Sequence, residues 1–284
     1  MASIDNPILV TGGSGFVAME LISQLLVQGY AVHTTVRSLQ NTAKVSCLQV
    51  LKAQHPEGRL LLFEADLLQP GSFHQAMQGC SVVFHLASPF KVPEKIKDGY
   101  SEMVQPALQG TRNVLKAVED TPSVSRVVFT STTGAIAGDY KDVIDKMRVM
   151  SHDYFNETST VKHNPYHYSK VLAEKEAWRL FEEHQKSGQR RWDLVVICPA
   201  FVLGPTLTTS SESGSLFLMD ELLSGLMFYG VPELSFLPVD VRDVAAAHIR
   251  AAELKEAYGR LEETLNDHYA SWEKHKRKGK AKTT

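Results

Sequence analysis

Short apolar runs alternate with amphipathic stretches along most of the chain. Residues 8–10 are consecutively apolar and too few for a helix, whereas the apolar side chains from Val17 to Leu26 recur at helical spacing. Further apolar runs lie at residues 31–36, 59–64, 81–86, 126–129 and 192–198. Strands that alternate with helices build parallel βαβ units, so the pattern predicts an α/β fold with a doubly wound parallel sheet.

The first apolar run leads directly into a glycine-rich turn, Thr11-Gly12-Gly13-Ser14-Gly15. Between a strand and a helix, Gly12 permits a tight turn, Gly15 lets the backbone approach a pyrophosphate, and Ala18 takes the small position where helix packs on strand. The pyrophosphate is expected at the helix N-terminus, where backbone N–H groups favour an anion. This unit therefore predicts a dinucleotide site of the Rossmann type.

The end of the second strand distinguishes between cofactors. A site for NAD requires an acid there, to hold the ribose 2′-hydroxyl. This chain has Arg37 instead, and Lys44 opens the next helix. Two cations suit a 2′-phosphate, so NADP(H) is the expected cofactor; the alternative is that both are solvated surface charges.

Polar residues follow the next three strands. Asp66 follows the third, residues 87–89 follow the fourth, and four hydroxyl residues at 130–133 follow the fifth. These ends meet at the carboxyl edge of the sheet, where such folds bind ligand. We expect Asp66 to accept from an adenine amine and residues 87–89 to line the cofactor. One hydroxyl is expected to hydrogen-bond a substrate carbonyl, although such hydroxyls also satisfy loop backbone.

A helix is predicted to begin at Pro165, with Asn164 as its N-cap. On that helix Tyr166 and Lys170 are four residues apart and share a face, whereas Tyr168 points elsewhere. An ammonium beside a phenol favours phenolate, which predicts a lowered pKa for Tyr166. Such a tyrosine exchanges a proton with a substrate alkoxide.

These stretches together resemble the extended short-chain dehydrogenase/reductase superfamily, within the NAD-dependent epimerase/dehydratase family. The resemblance is to its dihydroflavonol reductase, cinnamoyl-CoA reductase and methylglyoxal (aldehyde) reductase branch, and it covers about residues 6–253. It is carried, in family order, by Val10-Thr11-Gly12-Gly13-Ser14-Gly15-Phe16, Thr35-Val36-Arg37, Ala65-Asp66-Leu67, Val83-Phe84-His85-Leu86-Ala87-Ser88-Pro89, Val128-Phe129-Thr130-Ser131, Tyr166-x-x-Ser169-Lys170 with Ala173-Glu174-Lys175, Gly204-Pro205 and Val239-Asp240-Val241-Arg242-Asp243-Val244.

The resemblance implies an NADPH-dependent oxidoreductase that reduces an aldehyde or ketone, with a small-molecule carbonyl compound as substrate. It implies a catalytic hydroxyl, tyrosine and lysine, which are Thr132 (with Ser131 as fallback), Tyr166 and Lys170 here. The branch has serine at the position of Thr132. The implied cofactor-binding residues are Gly12, Gly15, Phe16, Val17, Arg37, Lys44, Asp66, Leu67, Ala87, Ser88, Pro89, Ser131, Tyr166, Lys170, Pro199, Ala200 and Val202.

Two other functions stay open. The chain would be a non-catalytic NADP-binding sensor or partner protein if its substrate lobe is incomplete. It would be an epimerase- or dehydratase-like enzyme if it retained NAD, although Arg37 speaks against this.

The end of the chain departs from the resemblance. Residues 1–253 are expected to form the dinucleotide-binding domain, with 203–237 contributing to a small substrate lobe. Residues 254–284 replace the rest of that lobe with a charged tail, as if the lobe were truncated. Leu254, Tyr258 and Leu261 begin an apolar stripe at helical spacing, which predicts an amphipathic helix.

Composition and charge limit the partners, location and metal sites that are expected for this chain. A net charge of −2 suggests no general attraction to nucleic acid or membrane. The three cysteines are far apart and the chain opens without a signal peptide, so a cytoplasmic protein is expected, as monomer or homodimer. His163 and His167 are separated by Asn164 and Pro165 and lack a third ligand, so no metal site is expected.

Overall fold

Nine strands and eight α-helices alternate along the part of the chain that the structure, a computed structural model, describes. The described residues are 6–57, 59–143, 151–188, 191–208, 213–225, 230 and 237–263. The strands are β1 (Ile8–Thr11), β2 (Val32–Val36), β3 (Leu60–Glu64), β4 (Val82–His85), β5 (Arg126–Thr130), β6 (Asp193–Pro199), β7 (Phe201–Leu203), β8 (Pro238–Asp240) and β9 (Gly259–Glu263). The helices are α1 (Phe16–Val27), α2 (Thr42–Gln54), α3 (His74–Met77), α4 (Gln105–Glu119), α5 (Tyr140–Asp142), α6 (Pro165–Lys186), α7 (Gly214–Leu223) and α8 (Val241–Glu253).

Seven of the strands form one parallel sheet in the order β3-β2-β1-β4-β5-β6-β9. Successive side chains of a strand face opposite sides. Ile8 and Val10 therefore pack with α1, α2 and α8, whereas Leu9 packs with α3, α4 and α6. The predicted doubly wound parallel α/β fold is confirmed.

The segment from residue 100 to residue 119 is helical, with a change of helix type after residue 104. Tyr100–Val104 forms a π-helical turn and α4 then continues through Gly110 without interruption. A Cβ at Gly110 would lie 2.9 Å from Leu67 Cδ2, so glycine permits close packing there.

The tail contributes a strand where a helix was predicted. Residues 259–263 form β9, which pairs in parallel with β6 from Val195↔Gly259 to Pro199↔Glu263. The helical prediction is wrong for these residues, because strand pairing along β6 overrides the apolar spacing. The rest of the predicted helix lies outside the described residues. The domain boundary after residue 253 stays a prediction.

The segment at residues 138–163 is held by polar contacts in its described parts. Asp142 is buried, and its Oδ2 accepts from the Gly138 amide at 2.8 Å and the Thr158 hydroxyl at 2.6 Å. The Asn156 amide donates to the Gly134 carbonyl at 2.6 Å and the Ser159 hydroxyl at 2.8 Å. These bonds tie the segment to the turn that follows β5.

A second, two-stranded sheet joins β7 and β8 beside the carboxyl edge of the main sheet. Val202, Val239 and Val241 from this region are buried together with Phe16 at the start of α1. Helix α7 covers Gly214–Leu223, and residues 226–229 lie outside the described ranges.

Candidate active site

The glycine-rich turn has the geometry that an anion site requires. Gly12 has φ +71°, in the left-handed region that glycine favours, and a Cβ there would lie 3.0 Å from Ala87 Cα. Gly15 is the N-cap of α1, and it makes no side-chain cap hydrogen bond. The N–H groups in the first turn of α1 are therefore not occupied by a capping side chain. Phe16 and Val17 begin this turn. These residues fit a dinucleotide pyrophosphate.

The two predicted discriminating cations follow β2. Arg37 directly follows the last residue of β2 and is exposed. The backbone amide of Lys44 donates to the N-cap Asn41, which places Lys44 in the first turn of α2. The nearby carboxylate of Glu64 accepts from the Leu39 amide at 2.7 Å. Arg37 and Lys44 thus stand where a 2′-phosphate is expected.

The ends of β3 and β4 meet at one cleft. Asp66 Oδ1 accepts from the Leu68 amide at 2.8 Å, which fixes the carboxylate after β3. This cleft brings predicted site residues from three segments, which follow β3, follow β4 and lie on α6, next to the end of β5. Its lining includes Leu67, His85, Ala87, Ser88, Pro89, Phe129, Thr130 and Lys170.

Other cofactor candidates lie apart from this lining, near α1. Ala200 and Val202 pack in one apolar cluster with Phe16 and Val17, at the end of β6 where Pro199 is buried. This cluster joins the glycine-rich turn to the two-stranded sheet.

Helix α6 begins at Pro165 with Asn164 as its N-cap, as predicted. Asn164 adopts the left-handed region, with φ 57°, and its Oδ1 accepts from the His167 amide at 3.4 Å. Tyr166 lies in the first turn of α6 and its ring contacts the edge of Phe90, with centroids 5.4 Å apart. Lys170 is buried and its Nζ donates to the Thr130 carbonyl at 3.3 Å. The helix thus binds the end of β5 through Lys170.

The acidity of Tyr166 differs from the prediction. Desolvation raises the pKa of the phenol to about 12, although the side chain is only partly buried by its accessible surface. Burial also lowers the pKa of Lys170 to about 8, against the opposing effect of Glu174. The predicted lowering of the Tyr166 pKa by Lys170 is therefore wrong, because loss of solvent dominates. Tyr166 is a protonated phenol at neutral pH.

The two candidate hydroxyls after β5 have different partners. Ser131 is buried and donates to Glu174 Oε2 at 2.6 Å. Thr132 is half-buried, and its hydroxyl oxygen accepts from the Gly134 amide at 3.2 Å. Accepting that bond leaves the Thr132 proton free to donate. This favours Thr132 over Ser131 as the hydroxyl for a substrate carbonyl.

Thr11 and His85 join the ends of β1 and β4, which sequence reasoning missed. The Thr11 hydroxyl accepts from the amides of Leu86 and Ala87 at 3.1 and 3.0 Å, so its proton points to His85 Nδ1 at 3.0 Å. Burial lowers the pKa of His85 to about 3, with a smaller effect of Lys170, so the ring is neutral. These bonds fix the cleft wall at Ala87.

Sequence reasoning also missed the buried pair of Glu174 and Arg260. Glu174 is 0% exposed and its Oε1 lies 2.5 Å from Arg260 Nε. Glu174 was visible in the Ala173-Glu174-Lys175 stretch, but no local signal pointed to its partner on β9.

In the described part of the chain, no group of three or more His, Cys, Asp or Glu residues is arranged to hold a metal ion. None of the described helices combines the length and apolarity needed to cross a membrane.

Comparison with known proteins gives the family. Residues 8–262 match the model of the NAD dependent epimerase/dehydratase family. The chain belongs to this family, which confirms the resemblance seen in its motifs.

Several curated relatives are reductases. A cinnamoyl-CoA reductase of Medicago truncatula is 38% identical over 264 residues, which cover 91% of this chain and 76% of the relative. An anthocyanidin reductase of Vitis vinifera is 36% identical over 262 residues, covering 88% and 74%.

Two solved structures with a similar fold are also reductases. The yeast methylglyoxal/isovaleraldehyde reductase Gre2 complexed with NADPH has a TM-score of 0.77 and 27% identity, covering 91% of this chain and 78% of that one. Vestitone reductase from alfalfa has a TM-score of 0.69 and 30% identity, covering 91% and 76%. These proteins bear out the predicted class, an oxidoreductase that uses NADP(H).

Proposed function

We propose that this chain is an NADPH-dependent carbonyl reductase with Tyr166 as the proton donor. Its substrate would be an aldehyde or ketone of the dihydroflavonol, cinnamoyl or methylglyoxal type. The observation that carries the proposal is the placement of Tyr166 and Lys170 one helical turn apart, with Lys170 bound to the end of β5 at 3.3 Å. The reductases among its relatives support the same reaction class.

The cofactor would be held by residues from six segments of the chain. The α1 N-terminus with Gly12 and Gly15 would bind the pyrophosphate, and Arg37 with Lys44 the 2′-phosphate. Asp66 would accept from the adenine. The remaining contacts would come from Phe16, Val17, Leu67, Ala87, Ser88, Pro89, Ser131, Pro199, Ala200 and Val202.

NADPH, when bound, supplies the hydride for the carbonyl carbon. The Thr132 hydroxyl would hydrogen-bond the carbonyl oxygen, and Tyr166 would transfer its phenolic proton to that oxygen as the alkoxide forms. The raised pKa of Tyr166 keeps this proton in place at neutral pH. Lys170, which is protonated below its pKa of about 8, would stabilise the phenolate that remains.

The test is NADPH oxidation by the purified chain with a panel of aldehydes and ketones. Tyr166→Phe removes the phenolic proton and keeps the ring, so turnover should fall by roughly 10²–10⁴, the usual contribution of general acid catalysis. Tyr168→Phe is the matched control and should retain turnover. A chain that binds NADPH but reduces no compound of the panel would favour the non-catalytic protein. Equal turnover by Tyr166→Phe and the parent would overturn the assigned proton donor.

A further inference from the structure

Arg260 is the most connected charged residue near the candidate active site that the proposed reaction does not use. It lies on β9 and is 9% exposed, and its partner Glu174 on α6 is fully buried. The Nε–Oε1 separation is 2.5 Å at an angle outside hydrogen-bond geometry, and Nη2 donates to Oε2 at 3.3 Å. A buried carboxylate requires such a counter-charge, because an unpaired charge in the interior is strongly destabilising.

The Glu174 carboxylate also contacts the four hydroxyl residues at 130–133 that follow β5, here called the hydroxyl loop. Glu174 Oε2 accepts from Arg260 and from the Ser131 hydroxyl at 2.6 Å, and Oε1 accepts from Trp178 Nε1 at 3.3 Å. Ser131 directly precedes Thr132, the hydroxyl proposed to hold the substrate oxygen. Glu174 also lies one turn after Lys170 on α6. It therefore connects the hydroxyl loop and helix α6.

The Nη donors of Arg260 also bind backbone carbonyls of two other segments. Nη1 donates to the His152 carbonyl at 2.8 Å and to the Tyr154 carbonyl, and Nη2 approaches the Ala135 carbonyl at 3.4 Å. The guanidinium carbon lies 3.9 Å from the centroid of the Phe155 ring. One side chain thus holds the turn after Thr132 and the segment at 152–155.

We infer that Arg260 is a positioning residue for the proposed carbonyl reduction, and that it acts through Glu174 and Ser131. The planar guanidinium makes several directed bonds at once, which a lysine does not reproduce. Its effect is to hold the Thr132 hydroxyl in register with Tyr166 on α6. This inference rests on the proposed function, since it concerns the geometry of that reaction.

The test compares Arg260→Met with Arg112→Met. Arg112 also pairs with a glutamate of α6, since its Nε donates to Glu176 at 2.7 Å, but its side chain is 51% exposed and lies outside the candidate site. We expect Arg260→Met to lower kcat by about 10- to 100-fold, in the range that small displacements of reacting groups produce, with an unchanged Kd for NADPH. Arg260→Lys should recover part of kcat, and Arg112→Met should keep the kcat of the parent.

The double variant Arg260→Met/Glu174→Gln removes the unpaired charge and keeps the test usable if Arg260→Met does not fold. Hydrogen–deuterium exchange of peptides covering residues 130–137 should be faster in Arg260→Met and in the double variant than in Arg112→Met. Unchanged exchange would overturn the positioning role even if the chain reduced no carbonyl. Faster exchange with the kcat of the parent would show a purely structural pair and would also overturn it. Failure of the proposed function is recognised separately, by a parent without reductase activity.

Discussion

Ser131 and Glu174 form a short buried hydrogen bond of 2.6 Å between the end of β5 and helix α6. The bond directs the Ser131 hydroxyl into the protein interior, and it leaves Thr132 half-buried at the start of the next turn. The two adjacent hydroxyls therefore differ in role. Ser131 binds the loop to α6, and the Thr132 hydroxyl can still donate to a substrate.

Substitutions at these two positions should separate the tasks. Thr132→Val removes the hydroxyl at nearly constant volume, and kcat should fall by roughly 10²–10³, as when a donor to a reacting oxygen is lost. Thr132→Ser keeps the hydroxyl and should retain most of kcat. Ser131→Ala removes the bond that joins this loop to Glu174, so kcat should fall by about 10- to 100-fold, the range expected for Arg260→Met. Steady-state kinetics decide the assignment, and a larger loss for Ser131→Ala than for Thr132→Val would reverse it.

The charge at Arg37 should determine the choice of cofactor. Arg37→Asp removes the cation expected to face a 2′-phosphate, and a charge-assisted contact contributes about 1.5–3 kcal/mol. The ratio of the affinities for NADPH and NADH should therefore change at least about tenfold in favour of NADH. Fluorescence titration with both cofactors measures this ratio. Equal loss of both affinities would assign discrimination to other residues.

The buried Lys170 should make stability depend on pH in a predictable direction. Its pKa of about 8 in the folded chain lies below the ordinary value of 10.5, so the unfolded chain binds more protons between these values. The free energy of unfolding should then rise with pH in that window, by up to about 1.4 kcal/mol per pH unit from this residue. Below about pH 8 this contribution to the slope disappears.

The Lys170→Met variant should lack this rise of the unfolding free energy with pH. Urea denaturation of the cofactor-free parent and variant between about pH 7 and 10 gives the difference directly. Parallel pH profiles for the two proteins would mean that Lys170 keeps an ordinary pKa in the folded chain.

Deleting residues 254–284 should destabilise the protein strongly. The deletion removes β9 from the edge of β6 and leaves Glu174 without Arg260, and an unpaired buried charge costs about 3–5 kcal/mol. The melting temperature should fall by roughly 10 °C.

Deleting only residues 274–284 is the matched control. That segment is rich in lysine and lacks an apolar stripe, so its loss should leave the melting temperature nearly unchanged. Equal melting curves for the longer deletion and the parent would mean that β9 contributes little to stability.

Local sequence signals were sufficient wherever the structure depends on neighbouring residues. The turn at Gly12 and Gly15 needs only a strand, glycine and a helix in succession, and the start of α6 needs only the cap at Asn164 and the proline after it. The shared face of Tyr166 and Lys170 follows from helical spacing alone. These features were predicted from the sequence.

The sequence was insufficient where distant residues decide the outcome. The strand at 259–263 depends on its pairing with β6, and its apolar spacing suggested a helix instead. The acidity of Tyr166 depends on how fully the surrounding elements remove solvent, which adjacency to Lys170 did not reveal. The pairing of Glu174 with Arg260 likewise depends on the position of β9 beside α6, which are far apart in the sequence.

The position of β9 ties folding to synthesis. The ribosome makes the glycine-rich turn, the hydroxyl loop and helix α6 long before it reaches Arg260, so a nascent chain carries the Glu174 carboxylate without its counter-charge. Burying that carboxylate alone is unfavourable, and the packing of α6 against β5 should therefore stay incomplete until residue 260 has left the exit tunnel.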